Sequence, residues 1–494
     1  MKKVIEEYKI EADGVVGDVS IYEDSNENVY IYDLKIVELG LGTKALMDQL
    51  REEMAKEIPI SIDEITDPRK INALKDKFYK KAVSKIKERL PNLEEKDQGV
   101  LAGMLLHDMY GLGWVEVLLG DDFLEEIAIN NSETPIAVYH KKYGWLKSTN
   151  KLDSEMEIYN FASQIGRKVN RQITTLNPLM DAHLLTGDRV AATLFPISTF
   201  GNTITIRKFA RNPWTIISLI ENGTTSKEIV AFLWLCIQYE MNIMVVGGTA
   251  SGKTSFMNAL AALAPPFQRI ISIEDTREIT LPEPLHWNWI PLTSRDANPE
   301  GQGKVSMLDL MVSSLRMRPD RIIVGEVRRK EQAETMFEAM HTGHSVITTM
   351  HADTVEQIKR RLMEEPISIP RNELEGLQLF VVQFRDRRKN IRRTLEIAEV
   401  SLGGEEGDLH TNTLFRWRPR DDKVEKVNES ARIFEDLNLH TGMTLNEIKE
   451  NLQEKEKIIQ WMLDNKMENI ESIGKIMEEY YRNPKGLLER VGGS

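Results

Sequence analysis

One cysteine is all that this 494-residue sequence contains, and the scarcity removes several chemistries at once. Cys236 cannot form a disulfide within its own chain, and a lone thiolate cannot build a metal cluster. Set in the apolar run FLWLCI, it reads as a small core hydrophobe. Long apolar runs are missing as well. No window approaches the roughly eighteen uninterrupted apolar residues of a membrane span, and MKKVIEEYKI lacks the pattern of a secretory leader, so the sequence reads as cytoplasmic. Positive charge is in deficit: the formal net charge is −13. That balance argues against nucleic acid as the main partner, because phosphate backbones require a basic surface. Basic residues do gather in RDRRKNIRR, Arg385 to Arg393, which reads as a solvated cluster at a strand edge. There is no internal repeat and no low-complexity tract. With 41% hydrophobic and 29% charged residues, the chain is globular, and its length suggests about three domains.

What is present is concentrated in IMVVGGTASGKTS, Ile243 to Ser255. An apolar run leads into Gly247, then Gly248, Thr249, Ala250 and Ser251, then Gly252, Lys253, Thr254 and Ser255, the spacing of a phosphate-cradling loop. Glycines let the backbone curl so that successive N–H groups converge on an anion, and the next helix adds its positive N-terminal end. Lys253 is placed to reach the β- and γ-phosphates, and the Thr254 hydroxyl to ligate Mg²⁺. Phe256, Leu260 and Leu263 continue with helical spacing. The expected ligand is a nucleoside triphosphate with Mg²⁺.

Around this loop four patterns succeed one another. Residues 1–95 read as a mostly helical N-terminal domain with one strand-like stretch at Val29 to Leu39 and helices at Thr43 to Lys56 and Arg69 to Arg89. Residues 100–211 alternate short strands, turns and a few helices, as an α+β domain does. Arg189 and Arg207 fall among apolar residues on adjacent strands there. Residues 213–400 alternate strands such as RIISIED, RIIVGE, SVITTMH and LFVVQF with amphipathic helices, the α/β signature of a parallel sheet flanked by helices. Met307, Leu310, Met311, Ala333, Met336, Phe337 and Met340 follow helical spacing and read as core. Residues 401–494 read as a hairpin with an acidic GGEEGD turn, followed by a helical C-terminal appendage.

Hydrolysis needs more than a loop, and the carboxylates at strand ends supply candidates. ISIED ends in Glu274 and Asp275, and RIIVGE in Glu326. Ligands of open parallel sheets gather at the carboxyl ends of strands, so one glutamate can serve Mg²⁺ and the other the attacking water. In MHTGHSVITTMHAD, His344 and His351 bracket a strand. Seven residues at about 3.3 Å each put them roughly 20 Å apart, which excludes one shared metal ion. His351 is the one near the γ-phosphate, placed to sense whether it is present.

Taken together, these motifs resemble the secretion and pilus-assembly ATPase superfamily over about Val100 to Val400. GGTASGKT is similar to its Walker A loop, ISIEDTREI to its Asp box, RMRPDRIIVGEVR to its Walker B segment with Gly325 in place of the usual Asp, and TGHSVITTMHA to its His box. The resemblance implies a RecA-like P-loop domain preceded by a smaller PAS-like α+β domain. It implies a homohexamer that hydrolyses ATP at the cytoplasmic membrane, acts on a membrane-embedded platform protein and so, indirectly, on pilin-like subunits. It also matches Arg189 and Arg207 to arginines extended toward the γ-phosphate, and it includes both His344 and His351 in the catalytic set, with Glu326 beside Thr254 at the metal. IAVYHKKYGWLKSTN is most similar to the archaeal branch. Two other readings are a nucleotide-dependent scaffold with little turnover and a DNA-translocating RecA-like motor, of which the acidic balance disfavours the second.

Overall fold

Two nine-stranded sheets organise the chain, one in each of the units Met1–Arg211 and Asn212–Ser494. The computed structural model describes residues 2–57, 68–169, 171–184, 187–209, 212–295, 297, 301–403 and 408–492.

The first unit opens with β1 (Lys2–Ala12) and β2 (Val15–Asp24). Asp13 and Gly14 join them with φ of 49° and 85°, the positive pair that a two-residue type I′ hairpin requires. Along β2, Val15, Gly17, Val19 and Ile21 are buried in alternation with more exposed neighbours, the period of a half-buried strand. β3 (Ile31–Ile36) is next. Then come β4 (Leu124–Ile129), β5 (Ala137–His140), β6 (Gly144–Ser148), β7 (Leu179–His183), β8 (Arg189–Thr193) and β9 (Thr203–Arg207). The order is β1-β2-β3-β6-β5-β4-β9-β8-β7, joined by the parallel pairs Ile31↔Lys147 and Tyr32↔Ser148 of β3 and β6. Residues 1–95 thus differ from the mostly helical expectation. Their first third is sheet, continuous with the strands of 100–211, and among the described residues Leu41–Glu57 and Pro68–Arg89 are helical. These helices pack with Glu95–Tyr110 around Leu50, Met54, Phe78 and Leu105.

The second unit carries β10 (Ile243–Gly247), β11 (Ile270–Glu274), β12 (Trp289–Thr293), β13 (Arg321–Val324), β14 (Ser345–Met350), β15 (Leu379–Asp386), β16 (Ile391–Gly403), β17 (Asp408–Arg418) and β18 (Lys423–Lys426). Their order is β12-β11-β13-β14-β10-β15-β16-β17-β18. β12 through β15 run parallel, and β15 through β18 antiparallel. Every residue of β10, β11, β13 and β14 is buried, because helices cover both faces. The α/β class and the parallel strands agree with the sequence reading.

The C-terminal helices, expected as an appendage, belong to the same core. Helix Lys227–Gln238 buries Ile229 through Ile237 without interruption, and a helix apolar all round must be covered on every side. The helices Leu445–Asp464 and Ile470–Arg482 do this with Ile458, Ile459, Met462, Ile473 and Met477. Trp234 Nε1 donates to the Tyr481 hydroxyl at 3.1 Å, and Lys455 Nζ to the Tyr480 hydroxyl at 2.7 Å. Cys236 is fully buried there, and burial pushes its thiol up. Of the expected acidic turn, residues 404–407 lie outside the described residues.

Candidate nucleotide site

β10 lies inside the sheet, between β14 and β15, so a segment leaving its carboxyl end has a neighbour on each side. That segment is the phosphate loop. Ala250 and Gly252 have φ of 60° and 90°, turns that fold the loop back over the start of helix Lys253–Ala261. That helix has Gly252 as its N-cap and no side-chain cap, so its first-turn N–H groups are left for another acceptor. Inside the loop the Ser251 hydroxyl is buried with no hydrogen-bond partner among the described residues. An orphaned hydroxyl beside an uncapped helix start fits an anion with several oxygens.

The Lys253 ammonium has three protons, and the protein takes all three directions. Its Nζ donates to the Gly247 and Gly248 carbonyls, both at 2.9 Å, and lies 3.2 Å from His351 Nδ1. Burial lowers its pKa, opposed by Glu326 and Asp353. An ammonium only donates, so His351 Nδ1 accepts and the ring proton sits on Nε2. That nitrogen is 3.2 Å from Glu326 Oε1. Burial, and then the Lys253 charge, depress the His351 pKa, so the imidazole is neutral at pH 7. On the far side of Glu326, Oε2 accepts from Arg328 Nη2 at 2.7 Å, and Arg328 Nη1 reaches Asp275 Oδ2 at 3.2 Å. A chain of contacts thus runs from the loop through β14 and β13 to the end of β11.

Glu274 sits deeper. Its side chain is 3% exposed, and Oε1 accepts from the Glu278 and Ile279 N–H groups at 2.8 and 3.0 Å. Burial outweighs these bonds and pushes the carboxyl up to about 7. Gly325 makes the room: a Cβ there would stand 3.3 Å from Glu274 Cγ. The usual Asp at this position would set a second carboxylate against the first.

Among the described residues no group of three or more His, Cys, Asp or Glu could hold a metal. Mg²⁺ seldom needs one, since it takes one or two protein oxygens and completes its shell with water and phosphate. Thr254, on the first turn beside Lys253, and Glu326 fit that mode, in which the ion arrives with the nucleotide.

One expected residue of the second unit lies away from this place. His344 precedes β14 at its opposite end, with Nδ1 3.0 Å from Thr342 Oγ1 and 3.2 Å from the Ala339 carbonyl, and a whole strand separates it from His351. Arg189 and Arg207 belong to the first unit. They are register partners on β8 and β9, and Arg189 grips Asp181 through Nε at 3.1 Å and Nη2 at 2.6 Å. The basic run, expected as a solvated edge, is exposed at Arg387, Arg388 and Lys389, and differs from that expectation at Arg392, which is half-buried, and Arg393, which is buried. Arg392, on β16, donates from Nε to the Ala250 carbonyl at 3.1 Å, inside the phosphate loop. Nothing local announces this contact, because it depends on β15 pairing with β10.

The model of the family described as "Type II/IV secretion system protein" matches residues 183–383. The chain is 36% identical over 334 residues to the uncharacterized protein MJ0900 of Methanocaldococcus jannaschii, covering 67% of this chain and 59% of that one. It therefore spans less than two thirds of that relative's length. It is 39% identical to MJ1287 of the same organism, covering 53% of this chain and 98% of that protein. It is 31% identical to the type IV secretion system protein PtlH homolog of Bordetella bronchiseptica, covering 45% of this chain and 72% of that protein. A family match that runs through the loop, both glutamates and His351, joined to relatives of this identity and coverage, means that the chain belongs to the type II/IV secretion ATPase superfamily.

Proposed function

We propose that the chain is an ATP-hydrolysing motor subunit of the archaeal branch that powers assembly of a type IV pilus-like filament or type II-like secretion. It works as a homohexamer on the cytoplasmic face of a membrane, against an embedded platform protein and so, indirectly, on pilin-like subunits. In this reading residues 213–400 form the RecA-like domain and residues 100–211 the smaller PAS-like one. No helix among the described residues is long and apolar enough to cross a membrane.

The observation that carries the reading is the Lys253–His351–Glu326 relay. Phosphate oxygens compete with the Gly247 and Gly248 carbonyls and with His351 for the three Lys253 protons. When they win, His351 loses its donor and the constraint on Glu326 changes, so phosphate occupancy is reported to a carboxylate two strands away. Loop N–H groups and the helix start hold the phosphates. Mg²⁺, held by Thr254 and Glu326, supplies neutralising charge to the phosphate oxygens when bound. Glu274 takes the proton of the attacking water, a role that suits a carboxyl whose pKa is about 7. Arg189 and Arg207 supply further positive charge to the γ-phosphate, as the superfamily resemblance implies.

The test is ATPase rate against protein concentration, with light scattering in parallel. Activity should rise with a ring-sized oligomer, require Mg²⁺ and vanish in Glu326→Gln, while Arg207→Ala forms the ring and stays inactive. A fully active monomer indifferent to Arg207 overturns the motor.

A further inference from the structure

Hairpin β15–β16 ends in a four-residue turn, 387–390, closed by the pairs Arg385↔Arg392 and Asp386↔Ile391. Asp386 Oδ1 shapes it, accepting from the Arg388 and Lys389 N–H groups at 2.9 and 3.2 Å. Within this basic tip Arg393 is spent on structure: its Nε and Nη2 clasp Asp422, both at 2.7 Å. Its neighbour on the opposite face of the strand is placed differently. Arg392 spends Nε on the Ala250 carbonyl, and its Cδ would lie 3.3 Å from a Cβ built on Gly252. The stem therefore lies over the uncapped start of helix Lys253–Ala261, where anion-seeking N–H groups converge. With Nε engaged, the two terminal amino groups of the guanidinium offer a planar fork suited to phosphate oxygens.

We propose that Arg392 is a second cation for the diphosphate portion of the nucleotide, contacting it from the β15–β16 hairpin while Lys253 contacts it from the loop. The assignment rests on the nucleotide-binding reading above. Its physical content is two cations from different elements on one anion. Lys253 comes from the element after β10, and Arg392 from the hairpin of the strand beside it. Arg392 is half-buried, so its charge is partly shielded from competing salt and acts on the phosphates more strongly than a fully solvated arginine would.

The experiment is titration of the full chain with ADP, by calorimetry at two salt concentrations. Arg392→Ala should weaken ADP binding by about ten-fold or more, as loss of a charge-assisted hydrogen bond does. Arg392→Gln separates binding from shaping, because the amide can still donate to the Ala250 carbonyl but carries no charge. It should weaken ADP as much as the alanine, and flatten the salt dependence of the affinity. Arg392→Lys should recover most of the loss, and Arg388→Ala, at the turn, should bind like the wild type. Wild-type affinity and salt slope in Arg392→Gln would overturn the proposal and leave Arg392 a clip on the loop. If the wild type and Lys253→Ala both fail to bind ADP, the nucleotide reading itself falls. Loss in Lys253→Ala with none in Arg392→Ala rejects Arg392 alone.

Discussion

His351 joins Lys253 to Glu326 through its two ring nitrogens, each 3.2 Å from its partner. The order of donors is fixed, since the ammonium can only give and the ring must accept on Nδ1. Removing the ring cuts the relay without touching the loop. His351→Ala is therefore expected to lower kcat by about a hundred-fold, in the range of a lost proton-relay or positioning group, with ADP affinity changed less than about three-fold. Steady-state kinetics and an ADP titration separate the two. Loss of ADP affinity with kcat unchanged would mean that His351 serves binding and not turnover.

Glu274 predicts a pH profile. A carboxyl with pKa about 7 acts as a base only when ionised, so kcat should climb through pH 7 and level off above pH 8, and Glu274→Gln should remove the activity. Stability moves the other way. Between the ordinary value of 4.5 and about 7 the folded state holds a proton that the unfolded chain has lost, so stability falls as pH rises through that window. The penalty above it is on the order of 3 kcal/mol. Glu274→Gln keeps an oxygen for the Glu278 and Ile279 N–H groups without the charge, and should melt several degrees above the wild type at pH 8.

The space at Gly325 can be filled. Gly325→Ala brings a methyl group against Glu274 Cγ, at 3.3 Å before relaxation, and should cost about 1–2 kcal/mol in thermal or denaturant unfolding. Gly325→Asp adds a like charge. Its kcat–pH curve should shift to higher pH, because a neighbouring carboxylate disfavours ionisation of Glu274. An unshifted curve would show that Glu274 is not the titrating base.

Lys455 titrates in the opposite sense. It is fully buried between the Trp234 and Tyr480 rings, 5.1 and 4.8 Å from their centroids, and burial pushes its ammonium down to about 7. From there to the ordinary value of 10.5 the unfolded chain binds the extra proton, so stability rises with pH by a few kcal/mol. Thermal melts between pH 7 and 9.5 should rise in the wild type and lie flatter in Lys455→Met.

The elements that surround the loop are legible in the sequence because their chemistry is local. Runs such as IMVV, IISI, RIIV and SVITT are buried on both faces and show it in composition, and a glycine loop ahead of a helix is its own signal. The glutamates can be placed at strand ends for the same reason. What escapes depends on pairing between distant segments. The Asp13–Gly14 turn and the alternation of β2 are strand signals, yet the charge density of the N-terminal segment points toward helix. Helix Lys227–Gln238, apolar on all sides, implies a second cover without saying which segment supplies it. No local pattern could set Arg392 beside Ala250, since that contact depends on the register Gly247↔Gln383.

Arg392 and Arg393 are consecutive, and on a strand consecutive side chains leave by opposite faces. One ends on the loop at Ala250, and the other on Asp422, at the turn between β17 and β18, where Trp417 Nε1 also donates at 2.9 Å. Only one peptide unit lies between the two attachments. The phosphate loop is therefore fastened to the outer antiparallel strands through two adjacent residues of β16, without an intervening flexible segment.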